Sequence, residues 1–123
     1  MRWVEQAIGQ FCQELGVPLP SPPDRVIQLQ FEHSGIVQLE QHSEQLTVWL
    51  ALDVPWHQTQ TCLQRAMSAS FSEQTGELPL RCGWLGEQQL LLLVTLEQPQ
   101  VTAALLHQTL QTLLRVRQQV LEP

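Results

Sequence analysis

The sequence predicts an α+β fold, α-β-β-β-α-β-β-α, with an antiparallel sheet and three helices. Three observations carry that expectation. Apolar residues recur at helical spacing in residues 2–15, 55–70 and 99–121, and at period two in the segments between. The period-two segments are joined by short polar turns, as antiparallel strands require. The chain has 123 residues, enough for one domain and few for two, so a single domain over 1–123 is expected.

The first helix carries Val4, Ile8, Phe11 and Leu15 on one stripe, widened by Trp3, Ala7 and Cys12. Gly16 is placed to take the left-handed conformation after its last turn, and Pro18 prevents continuation. A proline-rich loop, 18–24, follows. In 25–32, Ile27, Leu29 and Phe31 alternate with Val26, Gln28, Gln30 and Glu32. A turn at 33–35 leads to 36–40, where Val37 and Leu39 alternate with Ile36, Gln38 and Glu40. After a polar turn at 41–44, Leu46, Val48, Leu50 and Leu52 alternate with Thr47, Trp49 and Ala51.

The second helix is expected from Pro55 to Ser70, with Trp56, Leu63, Ala66, Met67 and Phe71 as its stripe. After a loop at 72–77, residues 78–85 and 88–96 form a hairpin turning at Gly86-Glu87. The run Leu90-Leu91-Leu92-Leu93-Val94 does not alternate, which predicts a strand covered on both faces. Pro99 opens the last helix, whose stripe is Leu106, Leu110, Leu113, Leu114, Val120 and Leu121, interrupted by Arg117.

Composition narrows the function classes. The chain has 20 glutamines, 22 leucines, six arginines, no lysine and a net charge of −6. Nucleic-acid binding by clustered cations is not expected from scattered arginines. The longest apolar run, 90–94, is far short of the ~20 residues of a spanning helix. No apolar signal segment precedes Glu5, and Cys12, Cys62 and Cys82 form no CxxC pair. Both point to reduced thiols in a cytoplasm.

Chemistry has little behind it. A thiol enzyme would use Cys62 or Cys12, but Cys62 and His57, five apart, fall roughly 140° apart around a helix. A buried, inert cysteine is the commoner fate. The histidines His33, His42, His57 and His107 show no metal spacing, and no cofactor motif is present. Gly83-Trp84-Leu85-Gly86 is a GxxG without a following Lys, Ser or Thr, and reads as a strand bulge and a turn. Neither a catalytic, a cofactor-binding nor a metal site is expected.

An interaction surface has more support. Val26, Ile36 and Trp49 fall on the strand phase opposite the core residues, and Trp3 lies at the edge of the first helical stripe. Four tryptophans on a chain without tyrosine suit burial at contacts, unless the helices cover this second face.

The helix ending Phe11-Cys12-Gln13-Glu14-Leu15-Gly16-Val17-Pro18, followed by three strands, a helix, a hairpin and a closing helix, resembles the class I type III secretion chaperones of the CesT and SycE type. Val37-Gln38-Leu39-Glu40-Gln41-His42, Leu46-Thr47-Val48-Trp49-Leu50-Ala51, Trp56-His57 and Leu78-Pro79-Leu80-Arg81 place it in one branch of that family. Gly83-Trp84-Leu85-Gly86-Glu87, Leu105-Leu106-His107-Gln108 and Val120-Leu121-Glu122-Pro123 do the same. The likeness covers the whole chain, with departures at 21–24, 59–72 and 98–104.

The resemblance implies a cytoplasmic, non-enzymatic chaperone, placed at most peripherally at the inner face of a secretion apparatus. It implies pairing with a second, YscB-like chaperone subunit and service to a YopN-like secreted gatekeeper. A homodimeric chaperone for another effector is the alternative within the family. The family directs the dimer contact to the second helix and fourth strand, where strand and helix phase select Leu63, Met67, Leu80, Cys82 and Trp84. It directs the client to the first helix and first three strands, where the candidates are Trp3, Val26, Ile36 and Trp49.

Overall fold

The computed structural model describes residues 2–17, 26–31, 35–42, 44–69, 78–86 and 89–121. The proline-rich loop 18–24, the turn at 33–34, Phe71 and the loop 72–77 lie outside them. So do the side chains of Trp3 and Val26. The elements are α1 (Arg2–Leu15), β1 (Val26–Phe31), β2 (Gly35–His42) and β3 (Gln45–Asp53), then α2 (Thr59–Ala69), β4 (Leu80–Leu85), β5 (Gln89–Glu97) and α3 (Ala103–Leu121). The expected α-β-β-β-α-β-β-α order is therefore present.

The five strands form one sheet in the order β1-β2-β3-β5-β4, with every neighbouring pair antiparallel. β5 lies between β3 and β4, so those two run parallel and α2 is the crossover that joins them. Period-two geometry divides each strand cleanly. Ile27 and Leu29, Val37 and Leu39, Leu46 to Leu52 at even positions, Leu80, and Leu90 to Leu96 at even positions are all buried. Val4, Ile8 and Phe11 of α1, Cys62 and Ala66 of α2, and Leu106, Leu110, Leu113, Val116 and Val120 of α3 close over that face. All three helices lie on the same side.

Local chemistry explains the helix ends. Gly16 has φ of 75°. Its N–H donates to the Gln13 carbonyl at 3.1 Å, while the Val17 N–H donates to the Cys12 carbonyl at 3.0 Å. This double closure uses two carbonyls that the helix itself leaves unpaired. At the start of α3, the Thr102 hydroxyl accepts from the Leu105 N–H at 3.1 Å, an N-cap. At its end, the Val120 carbonyl accepts from Arg65 at 3.0 Å and from the Cys62 thiol at 3.8 Å, binding α3 to α2. Gln98 is buried. Its N–H donates to the Glu44 carbonyl at 2.9 Å and its side-chain amide to the Gln45 carbonyl at 3.1 Å, which ties the exit of β5 to the β2–β3 turn.

Several expectations need correction. The second helix does not begin at Pro55. A 3-10 turn, Trp56–Gln58, comes first, and α2 starts at Thr59. Its buried stripe is Cys62, Ala66 and Ala69, so Trp56 and Met67 do not belong to it. Small side chains let α2 approach the sheet closely, and the larger ones on neighbouring phases are pushed outward. Pro99 sits in a separate 3-10 turn, Gln98–Gln100, and the last helix starts only after the Thr102 cap. β2 continues through Gln41 and His42, which pair with Leu46 and Gln45. β4 carries no bulge at Gly83, which pairs directly with Leu91. β5 is not covered on both faces: Leu91 and Leu93 remain partly exposed.

The glycines give a paired test. A Cβ at Gly16 or at Gly83 meets nothing within 4 Å, but only Gly16 requires a positive φ. Gly16→Ala is expected to lower stability by about 1–2 kcal/mol, the cost of the left-handed conformation for an L side chain. Gly83→Ala, in extended backbone, should be neutral or slightly stabilising. Urea unfolding of both variants checks the difference.

Candidate interaction surface

The sheet face opposite the helices is built by the odd phases of β3 and β5 and the matching phases of the other strands. Register places Gln28, Gln38, Trp49, Leu93 and Arg81 in one row across all five strands. The next row holds Ala51, Leu91 and Gly83, and the end row Asp53, Gln89 and Leu85. Trp49, Ala51, Leu91 and Leu93 are each half-buried by their sheet neighbours, and no helix among the described residues lies over them.

Polar pairs border this apolar centre. At one end, the Gln45 amide donates to Glu97 at 3.1 Å, and His42 Nε2 and Thr47 Oγ1 share a 2.7 Å hydrogen bond. Thr47 and Thr95 hydroxyls face one another at 3.4 Å. At the other end, Gln89 Nε2 donates to Asp53 Oδ1 at 3.1 Å. There a shallow groove of about 310 Å³ is lined by Ile36, Gln38, Trp49, Ala51, Asp53, Leu85 and Gln89. Amides around an apolar floor keep such a surface soluble with little fixed charge.

A second apolar surface lies between α2 and β4. Trp56 is 74% exposed, Met67 57% and Trp84 38%, on the turn before α2, on α2 itself and on β4, whereas Leu85, 47% exposed, and Ile36, 37%, lie on the open sheet face. Thr59, Gln60, Leu63, Trp84 and Gly86 surround a groove of about 450 Å³. Trp84 points to the helix side of the sheet, because its partner Leu90 is buried there, but α2 leaves it partly open.

The sequence candidates separate accordingly. Ile36 and Trp49 come together on the uncovered face. Trp3 and Val26 stand in α1 and β1, but their side chains lie outside the described residues. Leu63 and Trp84 share the α2–β4 groove, and Met67 is exposed beside them on α2. Cys82 is half-buried one pair along from Trp84, while Leu80 is buried in the chain's own core. Ala51, Leu85, Leu91 and Leu93 also line the open face. Their strand phase was visible in the sequence, but the unbroken leucine run, read as a doubly covered strand, hid Leu91 and Leu93. Trp56 was missed because helical spacing placed it on the inner stripe.

The remaining reactive groups are occupied structurally. Cys12 is buried, and burial pushes its thiol pKa above the ordinary value. His107 packs edge-on against Phe11 with ring centres 4.8 Å apart, and its Nε2 lies 3.5 Å from Glu14 Oε2. His57 packs against Trp56, with centres 5.9 Å apart. Among the described residues no histidine is hydrogen-bonded to a cysteine, and no three His, Cys, Asp or Glu side chains gather as a metal site. No described helix is long and apolar enough to cross a membrane.

Three helices on one face of a five-stranded antiparallel sheet is the fold of type III secretion chaperones. The Yersinia pestis chaperone SycH, solved in complex with a stable fragment of YscM2, matches 98% of this chain and 99% of its own, with TM-score 0.71 and 18% identity. A chain of the heterodimeric ExoU–SpcU complex from the type III secretion system of Pseudomonas aeruginosa matches with TM-score 0.72 and 15% identity, over 92% of this chain and 93% of that one. The model of the family "Type III secretory system chaperone SycN" matches residues 3–121, and the chain belongs to that family. It is 48% identical to the chaperone protein SycN of Yersinia enterocolitica over the full length of both.

Thiol labelling tests the placement of the cysteines. At pH 7.5 the native chain is expected to react with iodoacetamide at half-buried Cys82 and not at Cys12 or Cys62, because the thiolate is the nucleophile and both other thiols are buried. Peptide mapping before and after denaturation reads the sites. Rapid labelling of native Cys12 would show that α1 does not hold its packing.

Proposed function

We propose that this chain is a non-enzymatic type III secretion chaperone that acts as half of a heterodimer with a YscB-like subunit. Together the two hold the N-terminal segment of a YopN-like gatekeeper in the cytoplasm and promote its secretion. The observation that carries this reading is an α+β domain whose second sheet face is apolar at its centre and, among the described residues, uncovered by any helix. Such a face binds a polypeptide that has no fold of its own there, through side-chain anchors and, at a sheet edge, main-chain hydrogen bonds. Ordering the client consumes part of the contact energy, so the grip is strong enough to hold and weak enough to release.

Within this proposal the client lies along Trp3, Val26, Ile36 and Trp49, and the partner subunit meets Leu63, Met67, Cys82 and Trp84. Leu80 supports that contact from beneath. The two surfaces differ in chemistry. The client face alternates apolar anchors with glutamine, whereas the α2–β4 edge concentrates exposed Trp and Met side chains of the kind enriched at interface centres. Holding and releasing a client in this way needs no catalytic residue. Replacement of all three cysteines by alanine is expected to leave client capture intact.

The deciding experiment is co-expression with a YscB-like protein and an N-terminal fragment of the gatekeeper, read by size exclusion. A ternary complex is expected. A folded chain that co-elutes with neither sinks the proposal, and a homodimer that captures a different effector replaces it with the homodimeric reading. Trp49→Glu is expected to reduce client capture by about tenfold, the loss of one interface anchor, with an unchanged circular dichroism spectrum. Unfolding of that variant would show instead that Trp49 serves the core.

A further inference from the structure

Resting on the client reading above, we infer that the groove at the Asp53 end of the uncovered face selects a client segment with one cationic residue beside its apolar anchor. The floor of the groove is apolar, formed by Ile36, Trp49, Ala51 and Leu85, and its other walls are the neutral amides Gln38 and Gln89. Among the described residues, Asp53 is the one charged residue in that lining. One of its oxygens accepts from Gln89 at 3.1 Å, and the second has no partner among the described residues. Gln89 therefore orients the carboxylate, and the second oxygen stays available. Arg81, the cation on this face of β4, belongs to the row of Trp49 and Leu93, two register steps from the Asp53 row, so it does not neutralise the carboxylate by pairing.

The occupant that complements this arrangement is an aliphatic side chain on the Trp49–Ala51 floor with an arginine or lysine reaching Asp53. The long alkyl stem of such a residue suits an apolar wall while its head stays in water. The indole of Trp49, in the same groove, adds a face to which a cation is attracted. An acidic residue in that place would meet Asp53 with like charge in a chain already at net −6. The groove thus reads sign as well as hydrophobicity, which an apolar patch alone does not do.

The test uses three synthetic peptides with one aliphatic anchor pair, differing only in Arg, Gln or Glu at the flanking position. Each is titrated against the full chain and against Asp53→Asn. The asparagine keeps an oxygen for the Gln89 hydrogen bond and removes only the charge. The Arg peptide is expected to bind the wild type about fivefold more tightly than the Gln peptide, and the Glu peptide more weakly than either. The Arg advantage should vanish in Asp53→Asn and shrink in ~0.5 M salt, as a screened exposed pair does. Equal binding of the Arg and Gln forms, or binding of neither, overturns the inference. If the gatekeeper fragment is still captured in that case, the chaperone reading stands without it. A shift of oligomeric state on Asp53→Asn, seen by sedimentation without peptide, also overturns it by making a second copy the occupant.

Discussion

The placement of β5 between β3 and β4 governs the rest of the molecule. It pairs along its whole length with β3 and over Gln89–Val94 with β4, so two parallel strands are joined through an antiparallel neighbour. The chain can reach β4 from β3 only by crossing over the sheet, and α2 is that crossing. A crossover helix must bury one stripe on the face it traverses. α3 then packs on α2 and lies over β3 and β5, and α1 closes against α3. One topological choice thus commits all three helices to one side. The even residues of β5, Leu90 to Leu96, become the centre of the core, and the odd ones become a surface.

That division explains why the most apolar strand in the chain contributes to two different jobs. Burial of each core leucine is worth about 1.5–3 kcal/mol, enough for the inner face to stabilise the domain. Leu91 and Leu93 face outward, partly shielded by Trp49, Arg81 and the adjoining strands, and add little to the fold of a lone chain. Under the proposed function, their apolar character serves a contact of the sheet with a client. The polar clamps sit where they leave this centre clear. Gln98 secures the β5 exit from the edge, and the His42–Thr47 and Gln45–Glu97 pairs stand at the far end of the strands.

Much of this architecture was legible in the sequence, for reasons that can be named. Gly16 before Pro18 marked the end of α1 because only a left-handed residue completes the double closure seen there. Alternation in 25–32, 36–40 and 46–52 gave the strand faces, because one face meets helices and the other glutamine-rich surroundings. What periodicity could not reveal was the difference between a strand buried on both faces and one whose outer face stays partly exposed. Both read as continuous leucine. The same ambiguity misplaced Trp56 and Met67: a helical stripe of small residues, Cys62, Ala66 and Ala69, is quieter than the large apolar groups beside it. The candidate surface residues Ile36 and Trp49 were visible by phase. The family resemblance pointed to the elements, and the uncovered face supplied the neighbours Leu85, Leu91 and Leu93.

The lysine-free, glutamine-rich composition takes its meaning from these surfaces. Gln28 and Gln30 are exposed on the open face and Gln38 is half-buried there, while Gln108, Gln111, Gln118 and Gln119 are exposed on α3. A primary amide both donates and accepts, so it can meet a polypeptide backbone in either direction and return to water when that backbone leaves. A lysine in the same place would hold a client acid by charge alone and would repel a client cation. Under the proposed function, neutral amides around the anchors leave affinity to the apolar side chains and sequence discrimination to the few charges that remain. A chaperone that holds an extended client and then surrenders it, as proposed for this chain, needs that separation of grip from selection.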